Sequence, residues 1–485
     1  MTLVAAGAAM CASAAVEAAR GGTQTVRIFA CGVVVGVPGL LLWRATRVPE
    51  RIPKASIFAT VLAAWIAFVL VSTIPYLATH TFTRFDHALF ESVAGFTTTS
   101  ATVLRPIEAA APGILFWRAA TQWLGGISVV VFAVSVLPFL GVGVLQLGHT
   151  PALGSASEHL APRVRATAAR LVPLYVVFTA AVAVAYRLAG IGAFDAGLHA
   201  LTTVSTGGFS THTASFAAFG SAAQWVAVAA MTLAGGSYVL YWRALRGRPL
   251  VIFQSAEFRA YIGITLALCA AAVAWNASAN GWRAGAVRRT IFTTVSITST
   301  TGYRLANFDR WATPVQLLLV FAMGLGAMAG SAGGGFKVGR LLLVLSYARR
   351  QLFAQLHPRA VAVVRYGREI VPEVVVTRVV GFFGLFMAIG GAATFLVAAF
   401  GADLRTAIAT VASAIGNVGP ALGAAGPARD YLGLSAGARW VLMVVMLIGR
   451  LEVFPVLLGA VPLLRFVTDR MPGRVNQFLL RVGRG

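Results

Sequence analysis

Long apolar runs separated by short basic connections dominate this chain. A helix needs about 20 apolar residues to cross ~30 Å of hydrocarbon, and runs near or above that length occupy 55–80, 112–140, 169–190, 219–243, 256–279, 311–346, 374–400 and 436–464. Ahead of them lie 26–43 and a shorter run, 3–19, interrupted by Glu17. The pattern predicts ten spans. The first run lacks the basic segment that opens a signal peptide, so it reads as a span. An even number of crossings puts both termini on one face.

Between paired spans stand shorter apolar stretches, 85–96, 194–205, 286–298 and 404–415, whose length suits re-entrant half-helices rather than crossings. Each runs into hydroxyls and glycines: Gly95-Phe96-Thr97-Thr98-Thr99-Ser100-Ala101-Thr102, Thr203-Val204-Ser205-Thr206-Gly207-Gly208-Phe209, Thr298-Ser299-Thr300-Thr301-Gly302-Tyr303 and Ile415-Gly416-Asn417-Val418-Gly419-Pro420. A unit of span, half-helix, extended loop and span is thus repeated four times. The chain divides into two N-terminal spans with a basic loop (1–54), repeats at 55–145, 165–250, 255–350 and 370–467, and a short basic tail, 468–485. Non-helical backbone survives at membrane depth only where protein or water satisfies its polar groups. Four such loops meeting on one axis would make an ion filter. Rows of carbonyls replace the hydration shell of a monovalent cation, and half-helices aimed C-terminus first at the membrane centre favour positive charge there. Glycine supplies the φ > 0 that lets successive carbonyls face one axis.

Composition fixes the class. Of 485 residues 58% are hydrophobic and 11% charged, with a mean hydropathy of +0.81, whereas soluble domains carry roughly 25% charged residues. The expected fold is an all-α, polytopic membrane protein. Net charge is +24, and 23 of 39 Lys and Arg fall in 44–54, 163–170, 243–259, 337–368 and 465–484. The positive-inside rule makes these connections and both termini cytoplasmic, which leaves the four hydroxyl-rich loops in the outer half. Anionic lipid, not nucleic acid, is the partner implied. Cys11, Cys31 and Cys269 stand singly, and the histidines, such as the pairs His80 and His87 or His149 and His159, have no metal-ligand spacing. No cofactor is expected. The run to Lys337 is no phosphate loop, because Phe336 separates glycine from lysine, so nucleotide control would need another subunit. Gly235-Gly236-Ser237 hints at an intramembrane protease but lacks a His partner within a span, so no enzyme is expected. An ion-coupled solute symporter would show buried carboxylates and two inverted halves; four quarter-repeats point elsewhere.

Several residues carry more specific expectations. Asp86, Asp195 and Asp403 stand near three half-helix starts, as N-caps or as an acidic ring at the outer mouth. The third repeat offers Arg288 and Arg289 there, which excludes a symmetric ring. Glu91, farther in, braces the first half-helix. The sixth long span holds Gly324, Gly326, Gly330, Gly333, Gly334 and Gly335, too many for a helix interior at about 1 kcal/mol each. It must break midway, as a flexible gate or for close packing through small residues. Arg450 lies inside the last span and needs protein, water or a partner around it. Glu452, two residues on, points to another side of the helix.

The runs Phe90–Thr99, Ser205–Ser210, Ser299–Arg304, Gly330–Lys337, His357–Val361 and Gly449–Glu452 resemble the Trk/Ktr/HKT superfamily of cation transporters. The ten-span layout is most similar to its Trk potassium-uptake branch, over about 26–467. The resemblance implies a pseudo-fourfold pore for potassium in the bacterial inner membrane, two chains per dimer, and a separate cytoplasmic nucleotide-binding ring as regulator. It assigns the filter to Thr98, Thr99 and Ser100; Ser205, Thr206 and Gly207; Thr300, Thr301 and Gly302; and Asn417, Val418 and Gly419. It assigns the gate to Gly326, Gly330, Gly333, Gly334, Gly335, Lys337 and Arg450, the arginine raising a barrier to cations below the filter. Pairing of Arg450 with a carbonyl of the broken span is the other reading. Ser100 departs from the glycine of potassium-selective relatives, and serine there accompanies sodium selectivity in the plant branch. A Cβ restricts φ and would tilt one carbonyl row, making a sodium-permeable pore the alternative.

Overall fold

A computed structural model describes residues 2–46, 54–135, 160–280, 282–360, 362–367 and 369–468. The tail beyond 468, the basic positions Arg47 and Arg51, the end of the run 112–140, and His149 and His159 lie outside the described residues. What is described is almost wholly helical, with a single two-stranded hairpin, Arg365–Tyr366 against Glu369–Ile370. Seven described helices are long and apolar enough to cross a membrane, and two further crossings are bent pairs.

The two N-terminal helices, Thr2–Ala19 and Thr25–Ala45, pack through small residues: a Cβ on Gly7 would come 2.5 Å from the Gly36 Cα. Their sequence anomaly, Glu17, is buried and accepts from Gly113 N (2.7 Å) and Gln24 N (3.2 Å). It therefore satisfies a free N–H at the start of the helix Pro112–Ser135.

Four half-helices follow the expected segments: Phe85–Phe96, Ala193–Val204, Ala284–Thr298 and Leu404–Ile415. Twelve residues rise ~18 Å, about half a membrane, and three of the four have twelve. Their packing is cyclic. The second half-helix lies on Pro112–Ser135, the third on Ser221–Ala234, the fourth on Thr313–Leu325, and the first on Ala436–Leu451. Each thus rests on the second span of the preceding repeat, and the last repeat closes on the first. The contact of Lys54–Val71 with Val453–Thr468 completes the ring.

Among the described residues three of those second spans are broken. The sixth long run, expected to break, is interrupted over 326–337, between Thr313–Leu325 and Val338–Leu356. Two breaks were not expected. Run 219–243 bends by 91° between Ser221–Ala234 and Tyr238–Leu245, and run 436–464 bends by 105° at Glu452, between Ala436–Leu451 and Val453 onward. Arg450 therefore sits in the last turn before a break, not within a continuous span.

Candidate functional site

The four loops adopt one backbone design. Immediately past each half-helix a non-glycine residue takes the left-handed conformation: Thr98 (φ 52°), Thr206 (52°), Thr300 (61°) and Asn417 (54°). For a β-branched residue this is a true outlier, costing on the order of 1–3 kcal/mol, and three of the four are threonines. Their N–H groups donate three residues back, to Gly95 O, Thr203 O, Ile297 O and Ala414 O at 3.0–3.2 Å. Two residues further on, Gly208 (φ 72°), Gly302 (78°) and Gly419 (112°) are again left-handed.

That equivalence corrects the register of the second loop. Gly208, not Gly207, matches Gly302 and Gly419, so the corresponding triplet is Thr206, Gly207 and Gly208, and Ser205 aligns with Thr97, Ser299 and Gly416. Consecutive glycines hid the shift in the sequence. The Gly207 carbonyl is taken by the Gln122 amide (2.7 Å), whose Oε1 accepts from Phe209 N (3.0 Å).

The loops meet at the glycine level. A Cβ on Gly208 would lie 1.9 Å from Thr301 O, and one on Gly302 1.9 Å from Val418 O and 2.7 Å from the Ser100 Cβ. One on Gly419 would lie 2.5 Å from the Ser100 Cα. No side chain fits at these three positions, so glycine is needed there for space as well as for φ. Ser100 is the exception in conformation too, being absent from the left-handed residues. Its N–H donates to Val418 O (3.3 Å) and its hydroxyl to Gly208 O (2.8 Å), so this one residue lies against the other three loops. Thr98 Oγ1 and Asn417 Oδ1 are buried oxygens with no partner among the described residues.

Buried polar side chains hold the loops from behind. Glu91 accepts from Arg118 Nε (2.8 Å), Thr102 Oγ1 (2.9 Å) and Val103 N (3.0 Å), so it braces the chain leaving the first loop as well as its half-helix. Arg118 also donates to Ser210 O (3.0 Å) and lies 4.2 Å over the Phe209 ring, which joins loops one and two. Tyr303, just past the third loop, bonds Thr202 Oγ1 (2.6 Å) and Thr203 Oγ1 (2.8 Å). The Tyr431 hydroxyl donates to Gly419 O. Sequence reading passed over Arg118 and Gln122; the available signal was an ionisable residue inside a span, with a polar one four residues on along the same face.

Of the three carboxylates near half-helix starts only Asp403 is an N-cap, accepting from Thr406 N. Asp86 pairs instead with Arg84 (2.9 Å) and Arg439 (3.0 Å), and Asp195 accepts from Thr211 Oγ1 (2.6 Å) and faces His212 (3.5 Å). In the third repeat Arg288 donates to Gln224 Oε1 (2.9 Å).

Segment 326–337 has left-handed Gly326, Gly330, Gly335 and Lys337. It folds on itself, Lys337 N donating to Leu325 O (2.9 Å) and Val338 N to Ala327 O (3.1 Å). Gly334 N donates to Thr300 Oγ1 (2.9 Å), a direct link to the third loop, and the Lys337 ammonium donates to Gly333 O. Met328 N and Gly330 O pair with Gly235 O (3.0 Å) and Tyr238 N (3.1 Å), so the unexpected break at 235–237 frees the groups that hold this segment. Arg450 is buried, and its three guanidinium nitrogens have no partner among the described residues, the pairing with a carbonyl being absent. Glu452 pairs with Arg340 (2.6 Å).

The chain matches the family model described as TrkH, cation transport protein, over residues 24–263 and 277–465. It is 34% identical over 437 residues to the Trk system potassium uptake protein TrkH of Escherichia coli strain K12, covering 89% of this chain and 90% of that protein. To the protein of the same name from Halomonas elongata it is 36% identical over 442 residues, 90% of this chain and 91% of the other. The crystal structure of the potassium transporter TrkH from Vibrio parahaemolyticus matches with a TM-score of 0.86 at 32% identity, over 94% of this chain and 95% of that one.

Proposed function

We infer that this chain, which belongs to the TrkH family of cation transport proteins, takes up potassium through a channel-like pore lined by its four loops. The observation that carries the reading is the fourfold recurrence of a left-handed residue at one place in each loop, with Ser100 lying against Gly208, Gly302 and Gly419 of the other three loops. Strained backbone repeated four times at one point is what stacked rows of oxygen ligands require. The ligands are backbone carbonyls of Thr98 to Ser100, Thr206, Gly208, Thr300 to Gly302 and Asn417 to Gly419, the Gly207 carbonyl being turned to Gln122, with Thr98 Oγ1 and Asn417 Oδ1 as free oxygens nearby. Segment 326–337 is the gate, and the unpaired Arg450 charge opposes cations beneath the filter until that segment moves. The working unit is a dimer in the bacterial inner membrane with both termini cytoplasmic, controlled by a separate nucleotide-binding ring; the relatives' potassium uptake supports the substrate.

One observation favours sodium permeation as a second reading: the Ser100 side chain donates to Gly208 O, a carbonyl of the proposed filter. A hydrogen bond of this kind is worth about 1 kcal/mol, so Ser100→Gly is expected to change the rubidium-to-sodium permeability ratio about fivefold in proteoliposomes. Equal ratios in the two proteins remove Ser100 as a determinant. Absence of rubidium, sodium and lithium flux altogether removes the pore reading.

A further inference from the structure

A cytoplasmic element reaches the gate through one carboxylate. Glu257, at the start of the helix Ala256–Asn280, is buried. Its Oε1 accepts from Ala329 N (2.7 Å), in the gate segment, and from Gly339 N (3.1 Å), in the first turn of the helix that leaves the gate. Its Oε2 accepts from the Tyr366 hydroxyl (3.2 Å). Tyr366 belongs to the two-stranded hairpin, which is packed by Val364 and Val371 against Leu343, Val375 and Val379. The hairpin lies in the basic connection 337–368, on the side the positive-inside rule makes cytoplasmic.

Building on the pore reading, we propose that Glu257 is a positioning residue that couples the Arg365–Ile370 hairpin to the gate and holds the gate segment in its packed, closed conformation. The physical basis is that one rigid, planar group makes all three bonds. Oε1 holds the gate segment at Ala329 and the following helix at Gly339 while Oε2 is held by the hairpin, so a movement of Tyr366 that turns the carboxylate takes Oε1 off Ala329 N. The fit is close: a Cβ on Gly339 would lie 3.0 Å from Glu257 Oε1 and 3.2 Å from the Tyr366 hydroxyl, so glycine at 339 is what leaves room for the two groups together. A two-state element biased from a second place is the requirement for such coupling. The glycine-rich segment supplies it, having left-handed hinges at Gly326, Gly330 and Gly335.

Tyr366→Phe removes the hairpin bond and leaves the packing. It is expected to raise unstimulated rubidium flux in proteoliposomes about 5- to 30-fold, the factor given by losing 1–2 kcal/mol from the closed state, with an unchanged rubidium-to-sodium ratio. Glu257→Ala does the same, and Tyr366→Phe then adds nothing, because both changes cut one linkage. Unchanged or lowered flux in a Tyr366→Phe protein with normal thermal melting overturns the proposal, as do effects that multiply in the double variant. Hydrogen exchange across 327–337 reads the linkage without transport: faster exchange in Tyr366→Phe supports it, and unaltered protection overturns it. A parent protein that carries no cation sinks the pore reading, and exchange alone then decides this one.

Discussion

Residues Glu91 and Arg118 show how single side chains hold strained loops in place. Both are buried, and together they take up Thr102, Val103 and Ser210 on the exits of loops one and two. Removing one partner of a buried ion pair strands the other charge and costs about 3–5 kcal/mol. Glu91→Gln is thus expected to lower the melting temperature in detergent by several degrees and to reduce rubidium flux; a variant as stable as the parent would show that the pair does not carry these loops. The sequence presented Glu91 as a brace but left its partner unnamed, because a helix pattern does not say which charges meet. Similarly, Ser100 was visible as an exception, whereas the conformation of its three glycine neighbours, and its hydroxyl on Gly208 O, came from packing.

At the scale of elements, the half-helices were legible because length alone separates them from spans, and their ends because hydroxyls and glycines punctuate the apolar pattern. Their caps were legible only in part. Asp403, just before its half-helix, accepts from Thr406 N and its hydroxyl, while Asp86 and Asp195, already inside the first turns of theirs, turn to Arg439 and to Thr211. Asp403→Ala is expected to cost about 1 kcal/mol, measurable as a small drop in unfolding temperature, whereas Asp403→Asn, an equally good N-cap, avoids most of that loss. The breaks divide in the same way. A dense glycine run announces 326–337, but Gly235-Gly236 also suits close packing, and Glu452 has no glycine to mark its left-handed turn (φ 68°). Its pairing with Arg340, from a distant span, accompanies that turn.

For the whole molecule, cyclic packing of each half-helix on the preceding repeat joins four repeats into one ring, the arrangement that the proposed pore needs. A uniport pore is driven by voltage, at about 2.3 kcal/mol per charge per 100 mV, or roughly fiftyfold in accumulation. Rubidium uptake into proteoliposomes is therefore expected to follow an imposed negative interior and to vanish when the potential is collapsed. Accumulation that ignores voltage and follows a second ion's gradient would restore the symporter.

The sequence by itself determined the membrane class, the ten runs, the four repeats and the place of the principal break, because these depend on local length, polarity and backbone freedom. Only the tertiary structure decided the register of the second loop, the two further breaks, which carboxylates cap and which pair, and the junction at Glu257. Those depend on groups far apart in the chain competing for the same hydrogen bonds, a contest that no local pattern records.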